Sequence, residues 1–157
     1  MEGKDRPRRA FAIGAHPDDI EFMMSGTLVV LGRAGYELHY MTLANGSCGT
    51  TELDAETIAA IRDRESRAAA AYIGARYHES LVNDLEILYD LETLRRLSGV
   101  VREVAPRIVL THWPHEYMED HSNTSRLACT AAFVRGMPNF EAIPPRPPVS
   151  DPVTIYH

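Results

Sequence analysis

Apolar and polar positions along the chain predict strands and helices in turn. Residues 9–15 (RAFAIGA) form a short apolar run that is typical of a buried strand. Apolar side chains at helical spacing then predict a helix over residues 20–34, and partial alternation predicts a second strand over residues 36–43. Glycines mark residues 45–49 as a loop. The chain therefore opens as a strand–helix–strand unit with a loop at the end of its second strand.

The same alternation continues to the end of the chain. It predicts helices over residues 55–74, 91–104 and 122–135 and strands over residues 77–82, 107–111 and 153–157. The inward face of the helix over residues 55–74 is expected to carry Ile58, Ile61, Ala68, Ala69, Tyr72 and Ile73. Strands that alternate with helices predict an α/β fold whose mostly parallel sheet is covered by helices on both faces. Ligands bind beyond the carboxyl ends of such strands, so we expect the loops at His16, Asn45 and His112 to meet in one crevice.

Length and composition favour a single globular domain over residues 1–157, with a flexible N-terminus at residues 1–8. The net charge of -6 argues against a nucleic-acid partner. No apolar run reaches the roughly 20 residues that span a bilayer. Cys48 and Cys129 lack the density of a disulfide scaffold, so we expect a cytoplasmic protein. Because the chain ends on a predicted strand with no helix after it, we also expect that a C-terminal part is missing.

Residues 15–22 (AHPDDIEF) place candidate chemistry directly after the first strand. An imidazole and carboxylates so close together are typical of a metal site, because zinc takes imidazole nitrogen and carboxylate oxygen as ligands. His16 and Asp19 are the candidate ligands, and Asp18 is then free to act as a general base. The simpler alternative is that Asp18 or Asp19 only caps the following helix. Capping explains neither His16 nor the second aspartate, and both interpretations can hold together.

The loop over residues 111–121 (THWPHEYMEDH) is the expected source of a third ligand. A single histidine is usually a hydrogen-bonded core or surface residue, but three close together at the end of a predicted strand favour a site. His121, at the start of a helix, is the favoured ligand. Asp120 either orients a ring nitrogen of a ligand or caps the helix.

Two other groups of polar residues have ordinary structural interpretations. His39 and His78 fall in or beside predicted strands and are expected to be structural. Arg62 and Glu65 lie three positions apart on one helix, which is typical of a solvated ion pair worth roughly a few tenths of a kcal/mol. Spacing alone predicts no function for this pair.

Together these motifs resemble the LmbE-like (PIG-L) family of zinc-dependent de-N-acetylases. The resemblance rests on the AHPDDIE run and its strand, the SGTL segment, the TLANGSCG loop, the IRDRESRAAAAYIGA helix and the Asp120–His121 pair, and it extends over residues 9–133. It implies a Rossmann-like fold and a hydrolase that removes the N-acetyl group from an N-acetylglucosamine-type sugar or glycoconjugate.

The resemblance also implies roles for individual residues. His16, Asp19 and His121 would bind Zn2+, or another divalent metal, and Asp18 would be the general base. Arg62 would contact the substrate, and we assign Asn45 of the neighbouring loop to substrate binding as well. The expected partner is therefore a small N-acetylated sugar or glycoconjugate, and homo-oligomerisation is left open.

The sequence departs from the family pattern at Met118. The family histidine at this position is implied to stabilise the oxyanion, and methionine donates no hydrogen bond. Either His115, our candidate for this catalytic role, or His112 takes over, or the metal serves alone, or the activity is reduced or different. The alternative function is thus a family member that keeps the metal and binds sugar with weak or no deacetylase activity. A nucleotide-binding module is disfavoured, since no GxGxxG turn follows the first strand.

Overall fold

The computed structural model describes residues 7–157, so most of the expected flexible N-terminus, residues 1–6, lies outside the described residues. The strands are β1 (Arg9–Gly14), β2 (Glu37–Thr42), β3 (Arg76–His78), β4 (Ile108–Thr111) and β5 (Thr154–Tyr156). The helices are α1 (Asp19–Met23), α2 (Ser25–Arg33), α3 (Ala55–Tyr72), α4 (Leu91–Val104) and α5 (Glu119–Val134). Strands and helices thus alternate, as the hydrophobic pattern predicts.

The five strands form one sheet in the order β3–β2–β1–β4–β5, and every neighbouring pair is parallel. The chain moves outward from β1 to β3 and then returns to the other side of β1 with β4 and β5. The strand order therefore reverses between β1 and β4, where Ile13 lies opposite Thr111. In open parallel sheets, ligand crevices form at this switch point, beyond the carboxyl ends of the strands. The predicted Rossmann-like α/β fold is confirmed.

Alternate residues of the strands point into two hydrophobic layers, one on each face of the sheet. The first layer includes Phe11, Ile13, Leu97, Val101 and Leu127. The second layer includes Ala10, Ala12, Ile20, Leu28 and Ala70. Helices α4 and α5 therefore cover one face, and α1, α2 and α3 cover the other. Because β1 is central and buried on both faces, the loop that leaves its carboxyl end starts from a rigid support.

A buried arginine anchors the irregular segment that follows α5. The Arg102 side chain, on the inner side of α4, donates hydrogen bonds of 2.7 to 3.3 Å to four backbone carbonyls, those of Val134, Arg135, Met137 and Arg146. Three of these carbonyls also accept a backbone N–H from residues 137–149, so Arg102 adds a second hydrogen bond to each of them. Arg102 therefore ties the segment to the core.

The predicted helix over residues 20–34 and the predicted inner face of α3 are corrected by the structure. The first helix is broken at Met24, next to a 2.6 Å hydrogen bond from the Ser25 hydroxyl to the Glu21 carbonyl. Such side-chain bonding competes with the backbone ladder of a helix. Tyr72 is 91% exposed and Ala68 is also exposed, although both were predicted to face inward. Of the predicted inner residues Ile58 is buried, and the other buried residues of α3 are Ser66 and Ala70, which were not predicted.

Two element ends differ from the predictions by three or more residues. Strand β3 stops at His78, and Val82 forms only an isolated bridge to Ala44. Helix α5 begins at Glu119, three residues earlier than predicted, so that His121 lies in its first turn. A histidine in the first turn of a helix has a fixed backbone, which limits where its ring can point.

Two observations bear on the expected environment of the protein. Among residues 7–157, no helix is both long and apolar enough to cross a membrane. Cys48 and Cys129 are both free thiols.

Candidate metal centre

The three predicted metal ligands lie together where the strand order reverses. His16 and Asp19 follow β1 directly, and His121 lies in the first turn of α5, which follows β4. One candidate ligand atom of each side chain lies within 4.8 Å of the other two. The loops after β1 and β4 therefore meet, although His16 and His121 are more than 100 positions apart in the sequence.

The carboxylate of Asp19 is the centre of this cluster. Its Oδ2 atom lies 3.6 Å from His16 Nδ1, 3.4 Å from His121 Nε2 and 3.2 Å from His112 Nε2. The same oxygen accepts a hydrogen bond of 2.7 Å from the backbone N–H of His16. This bond closes the turn between the two residues, so the sequence spacing of His16 and Asp19 itself sets their geometry.

Asp120 fixes the orientation of the His16 ring. Its Oδ2 atom lies 2.8 Å from His16 Nε2. Because an ionised carboxylate only accepts hydrogen bonds, Nε2 carries the hydrogen and Nδ1 keeps its lone pair for a metal. The same oxygen of Asp120 accepts the backbone N–H of Leu85 at 2.8 Å. Two roles were left open for Asp120. Its side chain contacts the ring nitrogen of His16 and does not cap the helix.

The donor atoms fit a divalent cation. His16 Nδ1 presents a lone pair on the side of Asp19. Glu116 Oε2 lies 3.6 Å from His121 Nδ1, which favours hydrogen on Nδ1 and a lone pair on the Nε2 atom that faces Asp19. Electron-rich atoms this close together in a largely buried place need a compensating positive charge. Two imidazoles and one carboxylate are a ligand set of catalytic zinc sites that keep a position open.

The pKa values around Asp19 reflect the same charge balance. Burial raises the pKa of Asp19, but the contacts with His112, His121 and His16 outweigh burial and hold this pKa well below its usual range. Burial lowers the pKa of His16, but the carboxylates of Asp19 and Asp120 outweigh it and raise the pKa to about 9. The pKa of His121 is raised in the same way, mainly by Asp19 against the effect of burial. Protons and a metal ion therefore compete for the same ring nitrogens.

His112 lies in this centre as a support. It is 3% exposed, its Nε2 accepts the backbone N–H of Ala15 at 2.8 Å, and its ring stacks on His121 with centroids 4.0 Å apart. Because the same Nε2 atom also lies 3.2 Å from Asp19 Oδ2, it is already occupied and is not free to donate to an oxyanion. In the strand register Ile13 lies opposite Thr111, which places residue 112 beside the end of β1. A correct prediction of this strand pairing would have indicated that His112 lies in the centre.

Asp18 lies beside the three ligands and outside their cluster. It occupies the cap position of α1 with φ 97°, and its side chain makes no capping hydrogen bond, so the simple capping interpretation does not account for it. Its carboxylate is 49% exposed and accepts a 2.6 Å hydrogen bond from Arg62 Nη2. Arg62 also donates to the Pro17 carbonyl at 2.6 Å and to Glu65 at 2.7 Å. The expected Arg62–Glu65 pair exists, but its arginine reaches into the site.

The other predicted residues lie at the rim. His115 is exposed, with its ring 5.7 Å from the ring of Trp113. Asn45 donates to Asn83 across two neighbouring loops. Met118 holds the cap position of α5 without a capping side chain. Among the contacts of residues 7–157 described above, none joins His115 or Asn45 to the three candidate ligands.

Sequence reasoning missed two contributors, Glu116 and Leu85. Glu116 lies in the histidine-rich loop, but no spacing rule marks it as the neighbour of His121. Leu85 adopts a left-handed backbone conformation with φ 64° and gives its N–H to Asp120. A backbone donor leaves no signature in the side-chain pattern, so the sequence carries no signal for it.

Most of the chain matches a known protein family. Residues 11–132 match the PIG-L family, described as GlcNAc-PI de-N-acetylase. The chain belongs to the PIG-L family. The resemblance drawn from the motifs is thereby confirmed, and the match covers the β1 loop, α3 and His121 of α5 in this PIG-L chain.

Relatives of this PIG-L chain include enzymes with different reactions. Diacetylchitobiose deacetylase of Thermococcus kodakarensis is 32% identical over 139 residues, which are 85% of this chain and 52% of that protein. 4-oxalmesaconate hydratase of Pseudomonas putida is 29% identical over 155 residues, covering 90% of this chain and 59% of that protein. The structure of N,N'-diacetylchitobiose deacetylase from Pyrococcus horikoshii matches with a TM-score of 0.85 at 28% identity, covering 94% of this chain and 59% of that one. The chain spans only about half to three-fifths of the length of these relatives.

Proposed function

We propose that this chain carries the metal centre of a zinc-dependent hydrolase that removes the N-acetyl group from an N-acetylglucosamine-type sugar or glycoconjugate. One observation carries the proposal: the lone pairs of His16, Asp19 and His121 converge beside Asp18, a carboxylate that is not in the ligand cluster. Membership of the PIG-L family and the two deacetylases among its relatives support the same reaction.

In this proposal His16, Asp19 and His121 hold Zn2+ or another divalent metal. A bound zinc supplies a Lewis acid that polarises a carbonyl and lowers the pKa of water. Asp18 takes the proton of the attacking water and returns it to the leaving nitrogen, so that a C–O bond forms, the amide C–N bond breaks, and acetate and a free amine result.

Residues of the rim complete the proposed site. Because the Nε2 atom of His112 accepts the Ala15 N–H, we assign the hydrogen bond to the oxyanion to His115, whose exposed ring can turn toward a substrate. Asn45, on the loop after β2, is proposed to contact the sugar. We also propose a cytoplasmic protein, since both cysteines are free thiols.

Acetate release from N-acetylglucosamine and N,N'-diacetylchitobiose tests this function. Zinc-loaded protein should release acetate, and a chelator should stop the release. Asp18→Asn should lower kcat at least about 100-fold with zinc content unchanged, whereas Asp19→Ala should lower the zinc content itself. Loss of zinc in the Asp18 variant would exchange the two roles, and acetate release that resists the chelator would exclude a metal reaction.

A second candidate is hydration of an unsaturated polycarboxylate, which the hydratase of Pseudomonas putida favours through its 29% identity over most of this chain. Water addition also involves proton transfer to and from water, so Asp18 and the metal centre would serve that reaction as well. Consumption of 4-oxalmesaconate without acetate release from any sugar would replace the first proposal with this one. Sugar binding with neither reaction would favour the metal-retaining binding protein, for which Met118 at the cap of α5 is the supporting feature.

A further inference from the structure

The guanidinium of Arg62 joins three parts of the candidate site. Its Nη2 atom donates to the Pro17 carbonyl and to Asp18 Oδ2, each at 2.6 Å, and its Nη1 atom donates to Glu65 at 2.7 Å. The Arg62 side chain is 24% exposed. Three of its five N–H donors are therefore already committed to the protein, and two of them to the loop that carries the proposed base.

The aliphatic part of the Arg62 side chain is fixed as well as its guanidinium group. Gly46 has φ +81°, and a Cβ added there would lie 2.8 Å from Arg62 Cγ and 3.2 Å from the Pro17 ring. The loop after β2 can therefore lie against α3 and the β1 loop only because residue 46 has no side chain. The arginine is held between this loop and its own helix and has little freedom to turn toward a ligand.

Asp18 is the group that needs such support. Its φ of 97° is unfavourable for a residue with a side chain, and its carboxylate is half exposed to water. A carboxylate in that state visits several rotamers, and a base displaced by about 1 Å loses on the order of 100-fold in rate. The bonds from Nη2 hold both the backbone just before Asp18 and the Asp18 carboxylate.

We propose that Arg62 is a positioning residue that acts through Asp18, holding the carboxylate in the direction in which it exchanges a proton with the substrate water. The inference rests on the proposed function for its catalytic part. It assigns Arg62 a role different from the substrate contact that the family resemblance implies, and the two roles have different kinetic consequences.

Arg62→Met tests the inference, because methionine keeps an apolar stem beside Gly46 and removes every hydrogen bond. We expect kcat for acetate release to fall about 10- to 100-fold, with KM changed less than about threefold and zinc content unchanged. Arg62→Lys should recover part of kcat, since an ammonium reaches Asp18 without also holding Glu65. Arg67→Met is the matched control, since Arg67 lies on the same helix and pairs with Asp63 and Glu79 instead.

A rise in KM at unchanged kcat would overturn the inference in favour of a substrate contact. A second test does not depend on turnover. The urea midpoints of Arg62→Met, Asp18→Asn and the double variant should be non-additive, with the second substitution changing little once the first is present. Additive midpoints would overturn the inference even if the protein proves to be a deacetylase. Non-additive midpoints in a protein that releases no acetate would leave the Arg62–Asp18 link in place and reject the deacetylase alone.

Discussion

Replacing Asp120 by alanine removes one oxygen atom on which two parts of the site depend. Asp120 Oδ2 accepts from His16 Nε2 and from the Leu85 N–H, each at 2.8 Å, and its side chain is 3% exposed. Without it, the His16 ring can rotate or shift its hydrogen to Nδ1, the atom that faces Asp19. Loss of such a supporting carboxylate typically weakens metal binding by about 10- to 100-fold. The stranded N–H of Leu85 should lower the free energy of unfolding by about 1–3 kcal/mol.

Asp120→Asn separates the effect of ring orientation at His16 from the effect of the negative charge of Asp120. Both hydrogen bonds go to the same oxygen, so an amide oxygen in that place can accept both and keep the His16 hydrogen on Nε2. Only the negative charge is lost, and charge-assisted bonds are roughly twice as strong as neutral ones. We therefore expect zinc affinity to fall in the order wild type, Asp120→Asn, Asp120→Ala.

Competition with a chromophoric zinc chelator on metal-stripped protein measures the affinity, and urea unfolding of the same samples measures stability. Glu119→Ala is the matched control, because it removes the same charge from the same helix turn without touching His16. Wild-type zinc affinity in Asp120→Ala would refute the argument. Equal weakening in Asp120→Asn and Asp120→Ala would show that charge, and not ring orientation, is what Asp120 supplies.

Further predictions concern stability. Burial lowers the pKa of His39 and of His78 to about 4, whereas their pKa in the unfolded chain is near 6.5. Between these two pH values only the unfolded chain takes up protons, so the stability should fall as the pH falls through that window. Each imidazole contributes up to about 1.4 kcal/mol per pH unit to the pH dependence of the unfolding free energy. His78→Asn should therefore reduce this dependence in urea unfolding, and an unchanged dependence would contradict the assignment. Arg102→Met removes four hydrogen bonds to backbone carbonyls, three of which also accept a backbone N–H, and should lower the free energy of unfolding by about 1–3 kcal/mol; unchanged stability would contradict the anchoring role. Asp90→Ala removes the oxygen that accepts the Thr93 N–H at the start of α4 and should reduce the unfolding free energy by about 1 kcal/mol, which the same titration measures.

Local signals predicted the fold where they were complete. Helix α4 runs from Leu91 to Val104 as predicted, because Asp90 caps its start and apolar positions repeat at helical spacing along its buried side. Helix α3 shows the opposite case. Its run of four alanines carries little periodic signal, and the buried positions Ser66 and Ala70 are too small to be recognised as an inner face. A hydrophobic pattern therefore predicts a helix more securely than it predicts the face that packs.

The candidate site likewise contains residues that the sequence could predict and contacts that it could not. His16, Asp18 and Asp19 could be predicted because their chemistry is concentrated in four consecutive positions after a strand. His121 is favoured among the three histidines by its place beside Asp120 at a predicted helix start, and the family resemblance implies the same ligand. The contacts of Leu85 and His112 could not be predicted from motifs, because they depend on backbone groups brought close by the sheet.

Hydrogen bonds to backbone groups also tie the charged residues of the site to the fold. Asp19 holds the N–H of His16, Asp120 holds the N–H of Leu85, and Arg62 holds the carbonyl of Pro17. The first bond closes the loop after β1, the second joins the loop after β3 to α5, and the third joins the loop after β1 to α3. The same polar groups that give the centre its charge therefore also determine its shape. A substitution in this network should therefore change geometry and electrostatics together, which is why pairs of isosteric variants, and not single alanines, are needed to separate them.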